Sequence, residues 1–238
     1  MGLFDEQLTT LRSLVRDIEA ASQIQTFNQE QCPTWPRGSS LVLEEDTALE
    51  LGNPSLGSLM LLLWSEDPAA VDNGRVTLIG PDVDQLERSS AFCQVLIVAG
   101  RFDEPYERYR DLRDAVYNTR LDGLMVRSVA SRQTAWCRIS HDALKRGMTL
   151  PIIGAELLRS LSELEFVDAA ETLLITAGKE TIEKLRPLAD MLGNIVGALI
   201  KMHEEPLLQC DSCDYREICE GVAELKRIRR ELRTGADR

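Results

Sequence analysis

Apolar positions recur at Phe4, Leu8, Leu11, Leu14, Val15 and Ile18. That three-and-four spacing predicts an amphipathic helix over 3–22. The stretch "QCPTWPRGSS" (31–40) breaks any regular element with two prolines and a glycine. Residues 1–40 therefore read as a helical arm and linker. From residue 41 the pattern changes. "LMLLLW" (59–64), "GRVTLIG" (74–80) and "CQVLIVAG" (93–100) are short apolar runs closed by turn residues, and predict strands. A helix is expected over 103–119. "GLMVRSV" and "TAWCRIS" flank the polar "ASRQ" and read as a strand pair. "TLPIIGAELLRSLSEL" (149–164) reads as a helix with proline near its start. "AETLLITAG" (170–178) reads as a strand, and 179–203 as one long helix bent near Pro187 or Gly193.

Strands and helices mix without strict alternation. The expected fold class is α+β, or irregular α/β, with a mixed sheet and flanking helices. The body spans 41–205. Residues 206–238 form a separate segment that holds three cysteines and a closing basic helix, "VAELKRIRREL" (222–232).

Composition narrows the chemistry. With 44 % apolar residues the chain is globular rather than disordered. No apolar run reaches the roughly 18–20 residues that span a bilayer. The start, "MGLFDEQLTT", lacks the basic and apolar pattern of a signal peptide. A cytoplasmic protein without a membrane partner is expected. A net charge of −12 argues against nucleic acid, whose phosphates need a basic face. Of the 27 basic residues only Lys145, Lys179, Lys184, Lys201 and Lys226 are lysines. No G-x-x-x-x-G-K-[ST] loop occurs, which excludes a P-loop nucleotide site. Arginine is a poor base but a planar clamp for carboxylates and phosphates.

Six cysteines are too sparse for a disulfide scaffold in a chain this long, and a tight cluster in a reducing compartment points to metal. "QCDSCDYREICEG" (209–221) places Cys210, Cys213 and Cys219 within ten residues. Thiolates at C-x-x-C spacing aim at one ion or one cluster face. Iron–sulfur is the preferred reading, zinc the alternative, and a metal-free group of thiols the bland one. A four-iron cluster or a tetrahedral zinc needs a fourth ligand. Cys93 and Cys137 lie on predicted strands and read as small hydrophobes. Cys32, in a loop before Pro33, is the preferred fourth ligand, from the same chain or from a partner chain. Asp214 or an exchangeable ligand is the alternative. With two histidines, His141 and His203, a histidine-rich centre is excluded.

The succession "ALELGNPSLGS" (48–58), "VDNGRVTLIGPDVDQL" (71–86), "VLIVAGR" (95–101) and "RQTAWCRISHDALKRGMTLPIIGAELLRSL" (132–161), followed by C-x-x-C at 210–213, resembles the β subunit of the CO dehydrogenase/acetyl-CoA synthase complex. The likeness covers roughly residues 46–213, and "ELGNP" and "GRVTLIGPD" are its most specific pieces. It implies a four-iron, four-sulfide cluster, with Cys210 and Cys213 matching the first two cluster cysteines. Cys219 matches the third over a shorter gap. The family's second nickel needs a C-x-C pair, and none occurs in this sequence. The resemblance therefore implies a truncated relative that carries a cluster but lacks the nickel part. Its role would be electron transfer or partner binding in one-carbon metabolism; the alternative is a non-catalytic regulatory protein with structural zinc or no metal.

Implied partners are CO dehydrogenase, a corrinoid protein or a ferredoxin. Arg127, Arg132 and Arg138 lie on the predicted strand pair, and two of them match family arginines by position. They would clamp an anionic cofactor or an acidic partner, with ordinary surface ion pairs as the bland reading. Asp82 and Asp84 read as caps or turn residues after a strand. The apolar stripe of 3–22 needs cover from its own body or from a second copy, and a homodimer through those residues is expected.

Overall fold

The computed structural model describes residues 2–20, 22–129, 133–204, 210 and 213–235. Its helices are α1 (Asp5–Glu19), α2 (Pro105–Asn118), α3 (His141–Lys145), α4 (Leu150–Ser162), α5 (Lys179–Glu183), α6 (Arg186–Glu204), α7 (Arg216–Gly221) and α8 (Ala223–Gly235). The strands are β1 (Ile24–Asn28), β2 (Thr47–Leu51), β3 (Ser58–Ser65), β4 (Arg75–Ile79), β5 (Ser89–Ser90), β6 (Phe92–Gly100), β7 (Leu124–Val129), β8 (Thr134–Ser140) and β9 (Val167–Ile175). The fold is α+β.

One sheet runs β1-β4-β9-β6-β3 and is mixed. β4 pairs parallel with β9 and β3 with β6, while β9 runs antiparallel to β6 and β1 antiparallel to β4. Every residue of β3 and β6 is buried, which is why these strands read as unbroken apolar runs rather than as alternation. α4 lies close over β4 and β9: a Cβ on its Gly154 would stand 2.7 Å from Val76 Cγ1 and 3.1 Å from Thr172 Cγ2.

The second sheet, β5-β2-β8-β7, alternates instead. In β8 residues 135, 137 and 139 are buried, and 134, 136, 138 and 140 are half-exposed, so one face meets the core and the other faces outward. Ser58 joins the two sheets. Its hydroxyl donates to the Ala135 carbonyl at 2.7 Å and accepts from the Ala135 N–H at 3.1 Å. Gly52, in "ELGNP", has φ +73°, and a Cβ there would stand 2.2 Å from the Ala135 carbonyl oxygen. Only glycine meets both demands.

The N-terminal residues differ from the arm-and-linker expectation. Residues 24–28 form the edge strand β1, paired with β4 in register Thr26↔Thr77. Leu8, Leu11, Val15 and Ile18 of α1 are buried in the chain's own fold. Phe4 meets Trp64 of β3 edge-to-face, with ring centroids 4.4 Å apart. From the same helix Arg12 pairs with the buried carboxylate of Glu171 on β9 and donates to the Ala70 carbonyl at 3.0 Å. The homodimer expected through residues 3–22 thereby loses the apolar face from which it was argued.

The stretch after Asn28 is also tied down. Glu156 of α4 accepts the Trp35 N–H at 2.8 Å. Arg159, also on α4, donates to the carbonyls of Gln29 and Cys32 at 2.8 and 2.7 Å. The long helix expected over 179–203 is two helices. The second starts at Arg186 with Pro187 next, where a missing N–H leaves no intrahelical bond unmade; Gly193 sits within α6 without breaking it.

Candidate metal centre and arginine face

The cysteine segment is built on α6. After that helix the chain returns through Cys210 and Cys213 into α7, and α7 and α8 both pack on α6. The Cys213 N–H reaches the Cys210 carbonyl at 3.5 Å, and the Arg216 N–H the Cys213 carbonyl at 3.1 Å, so both cysteines sit on one turn. Cys219 follows on α7, its N–H bonded to the Tyr215 carbonyl at 2.9 Å. It is 5 % exposed, and Cys210 and Cys213 are half-buried.

Burial pushes the Cys219 thiol up, the Arg229 guanidinium pulls it down, and negative charge on Cys213, Cys210 and Glu220 pushes it up again. Charges that act on Cys219 in this way lie near it. Among the described residues, however, no group of three or more His, Cys, Asp or Glu side chains stands in a metal-ligating arrangement. By kind and by neighbourhood the three cysteines fit a thiophilic ion or an iron–sulfur cluster.

Cys32 does not join them. It is 8 % exposed in the main core, and its carbonyl is held by Arg159. Burial raises its thiol, and the charge that opposes this is Arg159, not another cysteine. Cys93 and Cys137 are buried on strands; burial pushes the Cys137 thiol up to about 12 and raises Cys93 further, so both are inert hydrophobes. Asp214 is exposed beside Cys213.

The arginines occupy the outer face of the second sheet. β7 and β8 pair with Arg127 opposite Trp136, and β2 and β8 pair with Glu50 opposite Arg138. Cross-strand partners share a face. Arg138 lies over the Trp136 ring at 4.5 Å and Arg127 at 5.6 Å. The Trp136 indole N–H donates to Glu50 Oε1 at 2.8 Å, and Arg138 Nε stands 3.6 Å from the same oxygen. Burial pushes the Glu50 carboxyl up, but hydrogen bonds from Asn53 and Trp136 and the Arg138 charge outweigh it and hold the group below the usual carboxylate range. Arg138 is thus committed to a carboxylate and a ring, whereas Arg127 is exposed. Arg132 lies outside the described residues.

Sequence reading missed Trp136 and Glu50. Their signal was present in the alternation of "TAWCRIS", which puts Trp136 and Arg138 on one face, and in the lone acid of "ELGNP". Asp82 accepts the N–H groups of Val83 and Leu150 at 2.7 and 2.9 Å, so it caps the start of α4. The basic charge of α8 is partly matched within the helix, since Arg227 pairs with Glu224 and Glu231 at 2.5 and 2.6 Å.

The model of one protein family, described as CO dehydrogenase/acetyl-CoA synthase complex beta subunit, matches residues 38–182. Acetyl-CoA decarbonylase/synthase complex subunit beta of Archaeoglobus fulgidus is 30 % identical over 145 residues, 59 % of this chain and 27 % of that protein. Subunit beta 1 of Methanosarcina thermophila is 29 % identical over 170 residues, 69 % of this chain and 35 % of that protein. Subunit beta of Methanopyrus kandleri is 28 % identical over 146 residues, 58 % of this chain and 30 % of that protein. The chain therefore spans between 27 % and 35 % of the length of these relatives. The family match takes in β2 to β9 and the arginine face, leaves β1 outside, and ends before the three cysteines.

Proposed function

Because the chain belongs to the family of CO dehydrogenase/acetyl-CoA synthase complex beta subunits, we propose that it serves one-carbon metabolism as a cluster-bearing protein that transfers electrons or binds partners. Cys210, Cys213 and Cys219 would hold three corners of a four-iron, four-sulfide cluster. The cluster would supply one-electron chemistry. The chain supplies the thiolates, the burial of Cys219 and the Arg229 charge beside it. The fourth corner falls to Asp214, to an exchangeable ligand or to a partner chain, since the charge that acts on the Cys32 thiol is Arg159 and not another cysteine.

The observation that carries this reading is the placing of Cys210 and Cys213 on one turn and of Cys219 on the helix that follows it. Protein purified without oxygen is expected to contain iron and sulfide near four each per cluster. Each single substitution, Cys210→Ser, Cys213→Ser or Cys219→Ser, should abolish both. Stoichiometric zinc without the brown iron–sulfur absorbance would replace this reading with a structural zinc site and a regulatory role. No C-x-C pair occurs among the 238 residues. Acetyl-CoA formation by this chain alone is therefore not proposed.

The names of the relatives include a complex, and protein partners follow for this chain as part of the proposal. CO dehydrogenase, a corrinoid protein or an acidic ferredoxin fits an exposed guanidinium such as Arg127. Arg127→Ala should weaken ferredoxin binding, and that binding should fade as salt rises, because exposed charges are screened over about 8–10 Å. Salt-independent binding would remove Arg127 from the interface.

A further inference from the structure

Gly193 and Gly197 stand one turn apart on one face of α6. Neither has a positive φ, so neither backbone requires glycine. A glycine inside a helix costs about 1 kcal/mol relative to alanine, and two in one helix need another cause. At Gly197 the cause is space. A Cβ there would stand 2.7 Å from Tyr215 Oη and 2.8 Å from its Cε1 and Cζ. The Tyr215 ring therefore rests on bare helix backbone, at a distance no other residue permits without movement. At Gly193 the neighbour is Gln133, and a Cβ would meet its Cγ at 3.5 Å, an ordinary contact.

Tyr215 is well placed to act on the cysteines. It lies two residues after Cys213, and its carbonyl accepts the Cys219 N–H at 2.9 Å. A ring fixed on α6 fixes the peptide that joins the turn to α7. Gln133, at the end of β8, is bonded through its carbonyl to the Met60 N–H of β3 at 2.9 Å. The β8 end and the cysteine turn thus rest on adjacent turns of one helix, although they lie some eighty residues apart in the chain.

We propose that Gly197 is the seat of Tyr215 and that this contact positions Cys213 and Cys219 against the body; the proposal rests on the reading of the three cysteines as a metal centre. Gly197 and Tyr215 are positioning residues, with no contact to metal required of either. The seat makes a prediction opposite to helix propensity. Alanine at 193 or 197 should stabilise an ordinary helix, yet Gly197→Ala should unseat the turn.

The test measures two quantities on metal-free full-length protein. One is the rate of Cys219 alkylation by iodoacetamide, followed by mass spectrometry at that residue. The other is cobalt(II) affinity, read from thiolate charge-transfer absorbance. Gly197→Ala is expected to raise the alkylation rate and weaken cobalt binding by about tenfold each, as local opening of the turn exposes the buried thiol. Gly193→Ala should leave both within about twofold of wild type. Tyr215→Ala alone should lift the protection of Cys219, and Gly197→Ala made in that background should change nothing further. An unchanged Cys219 rate in Gly197→Ala, or equal effects of that substitution with and without the ring, overturns the seat. Wild-type protein that binds no cobalt would sink the metal reading instead, while the alkylation rates would still judge the seat.

Discussion

β3 and β6 bury all of their residues between covering layers. In the segment from Cys210 to α8, Cys219 and Leu225 are buried, and Asp214, Arg216, Glu217 and Glu220 are exposed. The sheet is held by removal of apolar surface from water, about 25 cal/mol for each Å². The segment packs a smaller apolar set on the core, with Cys219 and Leu225 buried and Tyr215, Ile218, Val222 and Ile228 partly so. The first region keeps its shape without help from outside. The second carries the three cysteines on a smaller packed area, where binding of a metal or a partner would add to its order. The family match covers β2 to β9 and stops short of the cysteines.

The contrast can be broken at several points. Leu63→Ala, at a fully buried position on β3, should cost about 3–5 kcal/mol in metal-free protein, read from a denaturant midpoint. A loss below 1 kcal/mol would mean that the sheet is not the stability core. Glu171→Gln tests how α1 is fastened. Glu171 is 1 % exposed and faces Arg12 and Arg75, with the Arg75 contact at 3.1 Å. Removing its charge should cost about 2–3 kcal/mol, because two guanidiniums lose their buried counter-charge. Equal stability of the variant would reduce the pairing to packing.

Glu50→Gln asks the same question of the second sheet, with pH as the control. The Glu50 carboxyl is held below its ordinary range in the folded chain. A depressed carboxyl stabilises above its unfolded pKa, and the contribution is lost as pH falls through the folded value. The substitution should therefore cost about 1 kcal/mol at neutral pH, and the cost should shrink once pH falls below the ordinary glutamate range and vanish below the depressed folded value. A difference between variant and wild type that stays constant with pH would assign the loss to hydrogen-bond geometry rather than charge. The smallest effect is expected at Cys213→Ser in metal-free protein, within about 0.5 kcal/mol, since this half-buried residue has little packing to lose. A larger loss would place the turn in the same cooperative unit as the sheet and remove the contrast.

Much of this was legible from the pattern of residues. The unbroken apolar runs at 59–64 and 93–100 could only be covered strands, and the stripe from Phe4 to Ile18 could only be a helix face. Local propensity and burial agree at those positions, and period alone reveals them. C-x-x-C spacing likewise marked Cys210 and Cys213 as neighbours, and the two sit on one turn. The sequence could not say which element would cover the stripe of α1, since any apolar surface satisfies an apolar face. Pairing with β4 made a strand of Ile24–Asn28, whose own alternation is weak, and the fold set the Cys32 thiol beside Arg159 rather than beside the other cysteines. Trp136 became the ring between Arg127 and Arg138 only through strand register, and Gly197 became a seat only because a tyrosine from beyond the helix folds back onto it. Those assignments depend on contacts between residues far apart in the chain, and a contact of that kind leaves no local period to read.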